Sequence, residues 1–234
     1  MSAPGLQAPS VILAGATGVL GQEVLRRLAG SHAFRPVHVL AREPMRDGLR
    51  DVRTHVLPAD GPAHWPVLAA EVAVVLFEPP RMFHERERAL WVPAPEQLPE
   101  LAAWLRRCGV STLAVVLPHA QMRLPEALKR GLASLDEHAV VGQGFERLLI
   151  VRSAQKPGAP PPASLPVRVA RGMLGVLRYM IPSSEQPVRA AKVAEFVAWA
   201  LRLAPAGIHV AASETVWHAA QGEVRAGVTR WLAG

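Results

Sequence analysis

The pattern of apolar and polar positions over residues 10–152 predicts strands that alternate with helices. Apolar-rich runs predict strands at residues 10–15, 36–41, 52–57, 71–77, 110–117 and 146–152, the first of them buried. Segments whose apolar positions recur with helical spacing predict helices at residues 21–30, 95–109 and 125–140. This alternation predicts an α/β fold in which a doubly wound parallel sheet is covered by helices on both faces.

The pattern changes after residue 152. A proline-rich stretch over residues 153–166 predicts an extended loop. Beyond it, the spacing of apolar residues predicts two helices, a short strand and a last helix, at residues 167–181, 187–205, 207–212 and 223–232. We expect one domain over residues 1–234, with a core at 8–152 and a small C-terminal helical cap at 153–234 that lies over one edge of the sheet and walls a cleft.

The first predicted strand runs directly into the segment GATGVLG, residues 15–21, and an amphipathic helix follows. Glycines at such a turn suit a dinucleotide pyrophosphate, which binds the amides at a helix N-terminus. Gly15 would permit the tight turn, Gly18 the approach of the phosphates, and Gly21 close packing of helix on strand. A turn of purely structural use is the alternative. The expected cofactor contacts in this loop are Gly15, Thr17, Gly18, Val19, Leu20 and Gly21.

Three later strands end in residues that would lie beside the same cofactor. Arg42 ends the second predicted strand and suits the 2′-phosphate of NADP(H), although Glu43 beside it keeps NAD(H) as the less favoured option. Asp60 follows the third strand and would contact the adenine amino group, or is simply a solvated carboxylate. Phe77, at the end of the fourth strand, is a further expected contact. The segment 78–80, Glu-Pro-Pro, would border the cofactor or only end that strand.

These motifs together resemble the atypical short-chain dehydrogenase/reductase superfamily. The similarity is strongest to its Tat-interacting-protein-like and NmrA-like members and to bacterial proteins labelled nucleoside-diphosphate-sugar epimerases. It covers most of residues 10–218 and is specific over the first 45. The resemblance implies a Rossmann-like fold and a bound dinucleotide.

The resemblance also implies catalytic residues that this chain lacks. Catalytic members of the superfamily have a serine at the end of the fifth strand and a Tyr-x-x-x-Lys motif on the next helix. Here Leu117 and Pro118 stand at the serine position, Lys129 has no tyrosine partner, and the single tyrosine is Tyr179. We therefore expect a non-catalytic binding or redox-sensing module.

An NADPH-dependent oxidoreductase or epimerase-like enzyme with an unusual proton donor is the alternative. His119 follows the fifth predicted strand and is a weak candidate for that donor, since an imidazole exchanges protons near neutral pH. The alternative is that His119 is a loop histidine that takes no part in catalysis. The substrate of such an enzyme, like the protein partner of a sensor, is not evident from the sequence.

Composition excludes several other classes. The formal charge is +7, but the arginines are scattered and aromatic residues are few, which argues against nucleic acid as a partner. The nine histidines form no cluster with metal-ligand spacing, and the single Cys108 offers no second thiol, so we expect no metal site. Apolar runs of about eight residues are far shorter than the roughly 20 that span a bilayer.

Location and assembly receive only indirect evidence. The first residues, MSAPGLQAPS, lack the basic segment of a signal peptide, and one cysteine cannot form an internal disulfide. We therefore expect a cytoplasmic protein. The predicted helix 167–181 has arginines at 168, 171 and 178 among apolar residues, a pattern also found in helices that attach to a membrane surface. A helix packed on the core is the favoured interpretation. A homodimer contact is a further option.

Overall fold

The computed structural model describes residues 8–45, 48, 50–117, 137–153 and 188–234. Among them, seven strands form one parallel sheet in the order β3-β2-β1-β4-β5-β6-β7. The strands are β1 (Val11–Ala14), β2 (Val37–Ala41), β3 (Val52–Val56), β4 (Val72–Leu76), β5 (Thr112–Leu117), β6 (Arg147–Arg152) and β7 (Gly207–Ala211). The strand order reverses between β1 and β4, which makes the sheet doubly wound, as predicted.

Most of the described helices lie on the two faces of this sheet. They are α1 (Gly18–Gly30), α2 (Glu85–Arg88), α3 (Leu98–Arg107), α4 (Glu137–Val141), α5 (Ala190–Leu203), α6 (Ser213–Ala220) and α7 (Val224–Leu232). Short 3-10 turns occur at Pro62–His64 and Pro95–Gln97. Strands β1, β2 and β4 are buried along their whole length, which explains why β1 and β4 are continuously apolar and why His38 is the one polar residue of β2.

Each face of the sheet has its own apolar core. Val11 and Leu13 of β1 point into a core shared with α1, α5, α6 and α7. Ile12 and Ala14 point to the opposite side, where α3 and a group of tryptophans pack. The alternation of side chains along a strand divides the residues of β1 between the two cores.

The described part of the C-terminal region, residues 188–234, packs on the sheet and adds a strand to it. Helix α5 packs against α1 on one face of the sheet, and its Val193, Phe196 and Val197 lie in the same core as Val11. Strand β7 pairs in parallel with β6 and becomes the seventh strand. Residues 188–234 therefore cover a face of the sheet and extend it. Helical periodicity revealed the apolar stripe of α5 but not the surface that the stripe covers. The predicted loop and helix over residues 154–181 lie outside the described residues.

A pair of histidines joins β2 to the edge strand β3. Nδ1 of His38 lies 2.7 Å from Nε2 of His55, and His38 is only 7% exposed. Burial, with smaller contributions from His55 and Arg53, lowers the pKa of His38 to about 4. The fold therefore holds this imidazole in its neutral form.

Acidification should destabilise the protein through His38. Between pH 6.5 and 4 the unfolded chain binds a proton at this position and the folded chain does not, so the free energy of unfolding falls as the pH is lowered. The full loss from this residue should be about 3 kcal/mol. Urea unfolding at pH 7 and pH 4.5 should show a smaller acid loss in His38→Gln than in the wild type. His64→Gln, which changes an exposed histidine, should behave as the wild type; an equal loss in all three proteins would contradict the assignment.

Candidate functional site

The turn from β1 into α1 has the backbone geometry that its glycines predicted. Gly15 and Gly18 have φ angles of +80° and +68°, in the left-handed region that glycine tolerates best. A Cβ on Gly21 would lie 2.5 Å from the carbonyl oxygen of Gly15. The turn stands at the carboxyl edge of the sheet, beside the reversal of strand order between β1 and β4, where sheets of this class bind ligands.

The first amides of α1 point at two carboxylates of the chain itself. The Leu20 amide donates to Oε2 of Glu78 at 2.7 Å, and the Gly18 amide donates to Oε2 of Glu87 at 2.9 Å. The neighbouring amides of Val19 and Gly21 also act to lower the pKa of Glu78, which favours its ionised form. The start of α1 is thus an anion site, and its anions are side chains of this protein.

Glu78 is held on the loop by its position two residues after the end of β4. The Thr17 hydroxyl donates to its carbonyl oxygen, and its side chain is 6% exposed. A Cβ on Gly18 would lie 2.2 Å from Cδ of Glu78, so the missing side chain of Gly18 is what makes room for the carboxylate. Burial raises the pKa of Glu78; the amide bonds oppose that shift, and the neighbouring Glu87 adds to it.

Glu87, on the short helix α2, is 3% exposed and carries its own counter-ion. Oε1 accepts a hydrogen bond from Nε of Arg81 at 2.8 Å and pairs with a second guanidinium nitrogen. The backbone amide of Arg81 donates to Oε2 at 3.0 Å. Burial alone would raise the pKa of Glu87, but the bonds from Arg81 and Gly18 outweigh it and hold the pKa below its usual range.

The chain after α2 crosses the ends of β1 and β2. The Arg42 amide donates to the Ala89 carbonyl at 2.8 Å, the Trp91 amide to the Leu40 carbonyl at 2.9 Å, and the Gly15 amide to the Trp91 carbonyl at 3.1 Å. Trp91 is buried against Trp65, with ring centroids 4.8 Å apart. Hereafter residues 78–88 are called the acidic strap and residues 89–91 its anchor. Together they cover the carboxyl edge of the sheet from β4 to β2.

The other predicted site residues lie at the same edge or outside the described part of the chain. Arg42 follows β2 and Asp60 follows β3, and both are exposed. Phe77 is 1% exposed and packs in the core of the α3 face, so in this arrangement its side chain faces the core and not the edge. The roles of these three residues in a cofactor site stay predictions. His119 lies outside the described residues.

A dinucleotide pyrophosphate would need the amides that Glu78 and Glu87 now occupy. The donors fit such a group, because successive N–H groups of α1 already converge on anionic oxygens. The two carboxylates and a pyrophosphate exclude one another at these donors. In this structure the two carboxylates therefore occupy the donors that a phosphate would use.

Comparison with known structures places this architecture among Rossmann folds. No protein-family model matches the chain, and no curated protein matches it in sequence. A nucleoside-diphosphate-sugar epimerase from Staphylococcus aureus is similar over 92% of this chain and 78% of its own, with a TM-score of 0.50 and 17% identity. The Bordetella bronchiseptica enzyme WbmG, solved in complex with NAD, is similar over 95% of this chain and 81% of its own, with a TM-score of 0.51 and 10% identity. The chain has a Rossmann fold.

The Rossmann fold confirms the resemblance expected from the sequence at the level of architecture. Sequence identities this low show the fold alone, and what the epimerase and WbmG bind is a property of those proteins.

Other chemistry is sparse in the part of the chain that the structure describes. No group of three or more His, Cys, Asp or Glu side chains there could hold a metal ion. No described helix is both long and apolar enough to cross a membrane. Cys108 is buried, and this burial raises the pKa of its thiol. The glycine loop with its two carboxylates is therefore the feature on which a functional proposal can rest.

Sequence inspection overlooked half of this site. The sequence predicts that Glu78 borders a cofactor or only ends its strand, but Glu87 and Arg81 lie in a strongly charged run, RMFHERER, that resembles an ordinary solvated segment. Nothing in that run distinguishes Glu87, which is buried, from Glu85, which is exposed. Only the fold brings Glu87 to Gly18.

The glycine loop should be intolerant of even one added methyl group at Gly21. Ala at this position would press its Cβ against the backbone of Gly15 and Ala16, so we expect Gly21→Ala to lower the free energy of unfolding by about 1–3 kcal/mol. Gly30→Ala is the matched control on α1, where a Cβ meets nothing within 4 Å and should be neutral or stabilising. Urea unfolding of both variants checks this, and equal stabilities would contradict it.

Proposed function

We propose that this protein binds a nicotinamide dinucleotide at the β1–α1 loop, with NADP(H) favoured over NAD(H), and acts as a non-catalytic binding or redox-sensing module. One observation carries the proposal: the amides that open α1 converge on anionic oxygens. A loop that binds two carboxylates in this way has the donors that a pyrophosphate requires.

The preference for NADP(H) rests on Arg42. This residue follows β2 directly, is exposed, and stands at the sheet edge where the ribose of a dinucleotide lies in Rossmann folds. A guanidinium binds a phosphate through two parallel hydrogen bonds, which a ribose hydroxyl cannot offer. Asp60, exposed after β3, is the proposed contact for the adenine amino group.

The non-catalytic part of the proposal rests on missing side chains. When bound, a nicotinamide supplies a hydride and needs a separate group to supply the proton. The chain has a single tyrosine, Tyr179, and it does not precede a lysine by four positions. Strand β5 ends at Leu117, an apolar residue, where the catalytic relatives have a serine. A protein partner that responds to the bound cofactor fits these features better than a substrate does. We propose a cytoplasmic location for this function, in line with the single cysteine.

Calorimetric titration with NADPH, NADH, NADP+ and NAD+ should give the tightest binding for the two 2′-phosphorylated forms. Arg42→Ala should remove that preference by weakening NADPH binding about tenfold, as expected for the loss of one charge-assisted pair, while leaving NADH binding unchanged. Arg26→Ala, which removes an exposed arginine of α1 paired with Glu23, is the matched control and should bind as the wild type does. Equal affinities for NADPH and NADH in the wild type would refute the NADP preference.

Hydride transfer should be absent. We expect NADPH oxidation with a panel of aldehydes, ketones and nucleotide sugars to proceed no faster than in Gly18→Asp, whose added carboxylate blocks the loop. The absorbance of the reduced nicotinamide measures the rate of NADPH oxidation. Turnover well above this control would favour the alternative, an NADPH-dependent oxidoreductase or epimerase-like enzyme, and a loss of that turnover in His119→Ala would identify the proton donor.

A further inference from the structure

The acidic strap, residues 78–88, is fixed at its ends and exposed in its middle. Phe77 precedes it in the core, and the anchor that follows it is held by buried Leu90 and Trp91. Between these points, residues 81–86 are all exposed, and Met82 and Phe83 are 79% and 92% exposed. The middle of the strap therefore contributes little apolar burial to the fold.

The strap touches the glycine loop almost entirely through charged groups. Glu78 accepts from the start of α1, and Glu87 accepts from Gly18 and from Arg81. Such bonds hold the strap well as long as no other anion competes, because the donors have a charged partner in a buried place. A phosphate on the same donors would satisfy them equally well, so an exchange leaves no amide unpaired.

Steric and electrostatic exclusion both act at this position. Cδ of Glu78 lies 2.2 Å from the point where a Cβ of Gly18 would stand, so the carboxyl fills the space above the glycine. Two carboxylates already share the N-terminal end of α1, and Arg81 pairs with one of them, Glu87. A phosphate added to this arrangement would meet like charges at close range.

We infer that the acidic strap is an autoinhibitory element: Glu78 and Glu87 occupy the phosphate donors of the glycine loop, and the dinucleotide binds only to molecules in which the strap has withdrawn. This inference rests on the proposed function. The observed affinity is then the affinity of the open loop multiplied by the fraction of molecules that are open. Removing the carboxylates raises that fraction and strengthens binding.

The test compares NADPH binding to the wild type, Glu78→Ala, Glu87→Ala and the double variant by calorimetry. We expect each single variant to bind at least tenfold more tightly than the wild type, and the double variant to bind most tightly. Glu85→Ala is the matched control, because it removes the same charge from the same helix at an exposed position that does not touch the loop. It should bind as the wild type does. Circular dichroism and thermal unfolding establish that each variant is folded.

The outcomes separate this inference from the proposed function. If all the proteins bind NADPH with one affinity, the strap does not compete and the inference is overturned, while the proposed function stands. If no protein binds any of the four dinucleotides, the proposed function fails, and inorganic pyrophosphate is titrated into the same set. Pyrophosphate binding by the double variant but not by the wild type supports the strap as an internal anion; binding by neither overturns the inference.

Hydrogen exchange on the wild-type protein gives a second test that needs no variant to fold. Saturating NADPH, or pyrophosphate if no dinucleotide binds, should speed amide exchange in peptides from residues 78–88 and slow it in peptides from residues 15–25. A strap that closes over the ligand would instead be protected together with the loop. Unchanged or slower exchange in the strap on ligand binding would overturn the inference.

Discussion

The buried N-terminus of α1 imposes the constraint on which this part of the molecule depends. A helix leaves its first amide groups without partners inside the helix, and α1 begins in the interior, at the edge of a buried parallel sheet. Gly18 and Leu20 therefore need acceptors, and Glu78 and Glu87 provide them. The helix dipole favours negative charge at the same point, so carboxylates are better partners than neutral oxygens.

This constraint explains the course of the chain between β4 and α3. Glu78 must lie close to the end of β4 to reach the helix, and α2 must return Glu87 to the same place. The anchor then forms hydrogen bonds with the ends of β1 and β2 before the chain enters the tryptophan-rich core. The eleven residues of the acidic strap thus connect Glu78, which contacts Leu20, to Glu87, which contacts Gly18, although few of these residues are buried.

The negative charges of the two carboxylates are stabilised by different groups. Glu87 forms an ion pair with Arg81 and accepts a hydrogen bond from the Gly18 amide. Together these interactions keep the pKa of Glu87 low despite its burial. Glu78 accepts a hydrogen bond from a backbone amide, and burial raises its pKa. Glu78 is accordingly the weaker of the two attachments in electrostatic terms, and Glu87 with Arg81 is the stronger.

The sequence by itself determined the local features of this protein. Continuous apolar runs specified the buried strands, and the spacing of glycines specified a loop with left-handed residues at Gly15 and Gly18. Both follow from interactions among near neighbours in the chain. The sequence also predicted helix α5. Which face of the sheet α5 covers, however, depended on the packing of α5 against α1.

Tertiary structure alone decided what occupies the glycine loop. Glu87 reaches Gly18 across 69 positions of sequence, and Glu78 reaches Leu20 across 58. The sequence around Glu87 shows that charged residues are present, but it does not show which hydrogen-bond donors they contact. Whether a carboxylate is solvated or fills a phosphate site depends on contacts between distant segments, because the donors and the acceptors are brought together only when the sheet closes.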